Sequence, residues 1–328
     1  NYIIFGTNLN YFKKNLKSNF KFVDFKINYN FLNLLFIILD LKKKLIFHKI
    51  KIIHAHTQRA AFLACLIKYI FLLKDLRIIY TPHGFRHSQL FSIKYFIHLL
   101  IEKFILNIIN HIILISRDEL LILKSLRKIE ISKTFIPTAI PKIKYKKSIS
   151  LKKKLKIKKN SKIILMCGSV QNIKQPNLFI EIAEKLLKIY PDIFFVWLGK
   201  KIDTTIKYDK SRIKFFGNIS DKVKYHSYMR SADIFLMTSK IETYPLSILE
   251  AKKIGLKIVC NNFRGANKII KKSSSEYLFK YNNIDNAVMI LKKILSNKKI
   301  FLKNDSLYNE NQINLFCKKH IDIYRSIN

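Results

Sequence analysis

Glycine is scarce in this chain. There are seven in 328 residues, about 2% against a usual ~7%. They are Gly6, Gly84, Gly168, Gly199, Gly217, Gly255 and Gly265. Most stand at or just past a strand-like run, where backbone must turn tightly or approach a ligand. Acid is scarce too: 21 Asp+Glu face 62 Lys+Arg, for a net charge of +41. Such an excess normally points to nucleic acid or an anionic membrane. Here the same enrichment in Lys, Ile, Asn, Phe and Tyr runs through every segment, core-like strands included. That is a compositional drift, and it spreads the charge instead of building a polyanion site. Lysines interleaved with aromatics fall in amphipathic helices and form no nucleic-acid reader motif, so nucleic acid is not an expected partner. The four cysteines, Cys65, Cys167, Cys260 and Cys317, include no CxxC pair and no metal spacing. Three lie inside apolar runs and read as buried free thiols, which suits a reducing, cytoplasmic compartment. No run supplies the ~20 apolar residues of a membrane span. The longest candidate, YFIHLLIEKFILNIINHIILIS, is interrupted by Glu102, Lys103 and two histidines. There is no signal peptide, and the chain opens on Asn1 in a strand, as if its natural beginning were missing.

What is present is an apolar share of 49%, enough for a sizeable core. The runs YIIFG, KFVDFKI, KIIHAH, RIIYTP, HIILIS and KTFIP read as short strands. Longer helical patterns separate several of them: FLNLLFIILDLKKKLIFHK, QRAAFLACLIKYIFLL and SIKYFIHLLIEKFILNIIN. A second series follows: KIILMCG, DIFFVWLG, RIKFFG, ADIFLMT and LKIVCN, with NLFIEIAEKLLKIY, DKVKYHSYMRS and PLSILEAKKIG as helices. This alternation predicts parallel sheets covered by helices. Residues 142–160 carry ten lysines and read as a linker with a solvated helix. The expected architecture is α/β. Residues 1–141 form one Rossmann-like domain, 161–309 form a second, and 310–328 form a helix packing back toward the first. A ligand is expected in the cleft between the two.

The second half reads IILMCGSVQNIKQPNLFIEIAEKL, then RIKFFGNISDKVKYHSYMRSADIFLMTS, then SKIETYPLSILEAKKIGLKIVC. In this order and spacing it resembles the nucleotide-sugar-binding domain of the retaining family-four glycosyltransferases, which have the two-domain GT-B fold. The first half is similar through IIHAHT, IIYTPHGF and FIPTAIP. The strand and glycine-rich loop with which that family opens have no counterpart, and YIIFGTN resembles its second strand.

The resemblance implies roles for named residues. Glu242 would contact the donor sugar and support charge at the reacting carbon, with His83 as a second catalytic residue. Glu250, two turns further on, would bind the donor ribose. A carboxylate suits a diol because it offers acceptor oxygens and no donor of its own. The backbone at Tyr244, Pro245, Leu246 and Ser247 opens a helix whose N–H groups are oriented for a diphosphate. Lys174, six residues past Gly168, suits a cation reaching a phosphate from a strand-end turn. Gly168, Ser169 and Gly217 complete the donor site. Ser169 stands where the family usually has arginine, which moves phosphate neutralisation onto Lys174 and the helix N-terminus. His54 and His56 divide between core packing and cleft lining, since an HxH pair without a third ligand makes no metal site.

The implied activity is metal-independent, cofactor-free transfer of a sugar from a UDP- or GDP-sugar, with retention of configuration. The acceptor would be a lipid-linked glycan or cell-surface polysaccharide precursor, as in lipopolysaccharide biosynthesis. The chain would work in the cytoplasm, with peripheral association at the inner face of an anionic membrane. Two alternatives remain: a truncated or decayed relative that binds nucleotide sugar without turnover, and a GT-B epimerase.

Overall fold

The computed structural model describes residues 2–6, 20–24, 31–85, 93–126, 131–140, 143–200, 208–263, 265–270, 273, 275–297 and 310–327. Two compact units result. One comprises Asn1–Leu114, Glu119–Phe135 and Ile321–Asn328, the other Ile115–Asp118 and Ile136–His320.

In the first unit the order is β1 (Tyr2–Gly6), β2 (Phe20–Asp24), α1 (Phe31–Phe47), β3 (Ile52–His56), α2 (Gln58–Ile70), β4 (Arg77–Thr81), α3 (Ile93–Ile108), β5 (His111–Leu114), α4 (Arg117–Leu126) and β6 (Ser132–Phe135). Strands β1 and β2 pair in parallel as a separate two-stranded sheet, and β3-β4-β5-β6 form a parallel four-stranded sheet. Ile78, Tyr80 and Ile112 from the sheet are buried with Ala61, Cys65, Ile105 and Leu106 from α2 and α3. Continuous apolar strands such as RIIYT and HIIL belong in this setting, because helices cover a parallel sheet.

The second unit runs α5 (Leu151–Leu155), β7 (Lys162–Cys167), α6 (Pro176–Leu187), β8 (Ile193–Leu198), β9 (Ile213–Phe216), α7 (Lys222–Ser231), β10 (Ile234–Met237), α8 (Leu246–Ile254), β11 (Lys257–Asn261), α9 (Ala266–Ile269), β12 (Glu276–Phe279) and α10 (Ile284–Ser296). Its parallel sheet has the order β12-β11-β10-β7-β8-β9. The chain moves outward from β7 through β8 to β9, then returns to add β10 on the other side of β7. Strand order therefore reverses at β7 and β10, the topological switch point where ligands bind such sheets, outside the carboxyl ends of the strands. The core is aromatic-rich: the Phe179 ring meets Trp197 edge-on at 5.1 Å, and Trp197 stacks on Phe215 at 5.6 Å.

Two expectations change. The lysine-rich 142–160 segment is not a free linker, because Ile136–His320, which contains it, belongs to the second unit. Leu151 is fully buried, and Ile143, Ile149, Leu155 and Ile157 pack against the core. The Lys146 and Leu151 N–H groups donate to Ser227 Oγ and Ser231 Oγ on α7, each at 2.9 Å. The apolar residues between the lysines anchor the segment, and Lys152 Nζ donates to the Lys159 carbonyl at 2.9 Å and lies 3.7 Å from Asp233 Oδ2. The sixth strand, β12, was not expected from EYLF, which is four residues long and opens on a glutamate. Residues 25–27 of the expected strand KFVDFKI lie outside the described residues. The closing helix is α11 (Glu310–Ile327); within the first unit its Tyr324 hydroxyl hydrogen-bonds His54 Nδ1 at 2.7 Å.

Candidate functional site

Adjacent strands β7 and β10 bring their following loops together. The Lys240 N–H donates to the Ile173 carbonyl at 2.8 Å, and Thr238 Oγ1 donates to the Lys174 carbonyl at 2.8 Å. This stitching places the Lys174 ammonium against the Glu242 carboxylate as an ion pair. Ser239 Oγ donates to the same carboxylate oxygen at 2.6 Å. The Glu242 side chain is largely covered, and that of Lys174 is about a quarter exposed. An ammonium has three donors, so Lys174 retains capacity for another acceptor.

Gly168 ends β7 with φ +135, a backbone conformation that side chains rarely adopt. A Cβ there would lie 3.6 Å from Lys174 Cε. Ser169, next in sequence, is exposed. Gly199, at the end of β8, is more tightly constrained. A Cβ there would fall 1.9 Å from the Gly168 carbonyl oxygen, which also accepts from Trp197 Nε1 at 2.7 Å. Gly217 has no such constraint, since a side chain there would meet nothing within 4 Å.

Helix α8 begins after Pro245 and has no side-chain cap at its N-terminus. The first-turn N–H groups at Leu246 and Ser247 thus retain the partial positive charge of a helix start. Tyr244 is half-buried, and burial raises its pKa above the ordinary tyrosine value. Glu250, on the same helix, is 7% exposed. Its Oε2 accepts from the Tyr225 hydroxyl at 3.2 Å, and its Oε1 lies 3.4 Å from His226 Nε2. Burial, followed by the neighbouring Cys167 and Glu250, holds the Tyr225 pKa well above normal, so Tyr225 is a donor. Cys167 closes β7 beside this pair, and burial raises its pKa. Glu250, for which the resemblance implies a ribose contact, is therefore a packed residue with protein partners. Each carboxylate oxygen still has a second lone pair.

Asn261, at the end of β11, is fully buried. Its Nδ2 donates to the Ser239 carbonyl at 3.2 Å and to Asn282 Oδ1 at 3.1 Å, while its Oδ1 accepts from the Asn282 N–H at 3.0 Å. It pins the loop that carries Glu242. Sequence reasoning missed Asn261 and Tyr225, and gave Gly199 no role beyond that of a retained strand-end glycine. The signals were a polar residue closing the apolar strand LKIVCN, and a glycine retained in a glycine-poor chain.

In the first unit His83 follows β4. It has φ +52, and Gly84 has φ +103. The turn is held by the Gly84 N–H donating to Glu119 Oε1 at 2.7 Å. His83 Nε2 lies 2.9 Å from His56 Nδ1 with the rings stacked, one nitrogen donating and the other accepting. Partial burial lowers the His83 pKa. His54 is half-buried, with Nε2 2.8 Å from Thr81 Oγ1. Among the described residues no group of three or more His, Cys, Asp or Glu is arranged to hold a metal ion.

Two Rossmann-like units with parallel sheets have the architecture of the GT-B fold. The sequence profile of the glycosyl transferases group 1 family matches residues 148–312, and that of glycosyltransferase family 4 matches residues 12–140. The chain belongs to the glycosyl transferases group 1 family. It is similar to the UDP-Gal:alpha-D-GlcNAc-diphosphoundecaprenol alpha-1,3-galactosyltransferase of Escherichia coli, at 25% identity over 83% of this chain and 73% of that one. Among solved structures it is similar to HepE of Anabaena in complex with UDP and glucose. That likeness has 16% identity and a TM-score of 0.74, over 94% of this chain and 86% of that one. A glycosyltransferase from Rickettsia africae ESF-5 has 17% identity and a TM-score of 0.72, over 99% of this chain and 89% of that one. At these identities the structural likenesses show the fold.

Proposed function

We propose that this chain transfers a sugar from a nucleotide diphosphate, UDP or GDP, to a lipid-linked glycan or surface-polysaccharide precursor, with retention of configuration. The observation that carries the reading is the meeting of Lys174 and Glu242 at the switch point of the second sheet. The diphosphate lies at Lys174 and the first turn of α8, where a cation and free N–H groups meet the charge that develops on the leaving group. Glu242 faces the donor sugar and supports positive charge at the anomeric carbon. Glu250 binds the ribose hydroxyls, sharing its oxygens with Tyr225. Gly168, Ser169 and Gly217 line the backbone side of the same site, and His83, in the first unit, is kept as a second catalytic residue on the family resemblance. The anomeric carbon loses its bond to the diphosphate oxygen and gains one to the acceptor oxygen. The acceptor proton leaves with the nucleotide diphosphate.

The names of two similar proteins support this choice of substrates: one acts with UDP-Gal on a diphosphoundecaprenol-linked sugar, and the other holds UDP and glucose. A lipid-linked acceptor sets the work at a membrane surface, and the charge of +41 favours an anionic one. The test is a panel of labelled UDP- and GDP-sugars incubated with the protein and a glycolipid extract. One donor is expected to give labelled lipid and an equal amount of free nucleotide diphosphate, with the anomeric configuration kept. Nucleotide binding without transfer from any donor would overturn the reading.

A further inference from the structure

The geometry points to the outer face of α3 as the surface that meets an anionic lipid bilayer. This rests on the reading of a lipid-linked acceptor. Ile93, Phe96, Ile97 and Leu100 are 82%, 56%, 51% and 66% exposed. Their spacing of three, four and seven places them on one side of the helix. The opposite side is already used: Glu102, Ile105 and Leu106 are buried in the first unit. The helix is thus exposed and apolar on its outward side in its N-terminal half and packed on the opposite side in its C-terminal half; the outward apolar stripe is what a surface helix in water does not need. Glu102 is its only acidic residue and points inward, so the outward face carries no negative charge. Lys103 is exposed one turn further along that face. Arg59, on the neighbouring α2, is exposed as well. It follows Gln58, whose amide donates to the His98 carbonyl of α3 at 2.8 Å.

An apolar stripe bordered by cations and free of acid is the pattern of a helix lying in a lipid interface. A second copy fits the face less well, because each copy carries +41 and the cationic borders would meet their own kind. No helix among the described residues is long and apolar enough to cross a membrane, and the contact described here lies along the surface.

The experiment is flotation of the full chain with vesicles of phosphatidylcholine and phosphatidylglycerol mixed at about 70:30, so that the surface is anionic, and with pure phosphatidylcholine. The wild type is expected to float with the anionic vesicles and to be released by salt. Phe96→Ser with Leu100→Ser should lower partitioning by at least about tenfold, and Lys103→Glu by on the order of fivefold or more. Ile93→Ser with Ile97→Ser serves as the second pair if the first disturbs folding, which unchanged thermal midpoints would exclude. UDP and GDP binding is measured on the same proteins. Lost flotation with intact nucleotide binding supports the assignment. A wild type that binds nucleotide but neither vesicle overturns it and leaves the donor site standing. Serine pairs that both float as well as the wild type overturn the choice of α3. Dimerisation abolished by the serine pairs, with no flotation, overturns it in favour of a second copy.

Discussion

The Lys174 ammonium is paired with the Glu242 carboxylate, one from the loop after β7 and the other from the loop after β10. The pair gives each residue a use beyond its own charge. Glu242 holds the lysine in place and offsets part of its field. Lys174 gives a largely covered carboxylate a cationic partner, at the position where the proposed reaction would develop positive charge.

Removing the two partners should therefore have opposite effects on nucleotide affinity. Lys174→Ala leaves a carboxylate facing the diphosphate and should weaken UDP or GDP binding. Glu242→Ala leaves an uncompensated ammonium, so affinity should hold or rise while turnover falls by about a hundredfold or more. Calorimetry and product release on both variants decide this. Equal loss of affinity in both, with turnover at saturation unchanged, would reduce Glu242 to an anchoring residue.

Gly199 and Gly217 make a paired stability test. Gly199→Ala drives a methyl into the Gly168 backbone, which cannot swing aside as a side chain can. The expected cost is about 1–3 kcal/mol, with a loss of nucleotide binding because Gly168 opens the phosphate turn. Gly217→Ala has open space around it and should fall within about 0.5 kcal/mol of wild type. Chemical denaturation measures both, and equal midpoints would remove the strain argument.

The buried Glu102 gives a pH prediction for the first unit. Gln58 Nε2 donates to its Oε2 at 2.6 Å, but burial dominates and raises its pKa to about 7 from 4.5. Tyr80 and Glu119 are the other titratable groups acting on it. Its folded value lies above the unfolded one, so its stabilising contribution is complete below about pH 4.5 and is lost as pH rises through about 7. Glu102→Gln removes that loss, and at pH 8 the variant should exceed wild type by about 3 kcal/mol. His83 acts in the other direction. Its pKa is lowered by burial, so its contribution is present above the ordinary histidine value and declines as pH falls. Denaturation at pH 5 and pH 8 separates the two. No gain for Glu102→Gln at pH 8 would show that the carboxyl ionises without penalty.

The parallel strands and their order of appearance were legible in the sequence because apolar runs such as IFLM and IFFVWL alternate with helical periods. The resemblance puts Lys174 and Glu242 in one donor site, but their direct ion pair was not legible, since it depends on which strands are neighbours: β10 adds beside β7 and not beside β9. Glu250 was legible as a helix residue near the site, but not as a buried one. Its burial comes from α7, whose Tyr225 and His226 cover it from a separate segment. The lysine count of 142–160 misled because charge concealed the spacing of Ile149, Leu151, Leu155 and Ile157, which alone decides that the segment packs.

The central claim is that Lys174, Glu242 and Glu250 belong to one nucleotide-diphosphate site, and calorimetric titration with UDP and GDP tests it most directly. The wild type should bind at least one of the two. Glu250→Gln keeps the shape of the side chain and loses a charged acceptor, worth roughly 1.5–3 kcal/mol, so the Kd should rise about tenfold to a hundredfold. Lys174→Ala should weaken binding by a comparable factor. A wild type that binds neither nucleotide, or variants that bind as tightly as the wild type, would contradict the account.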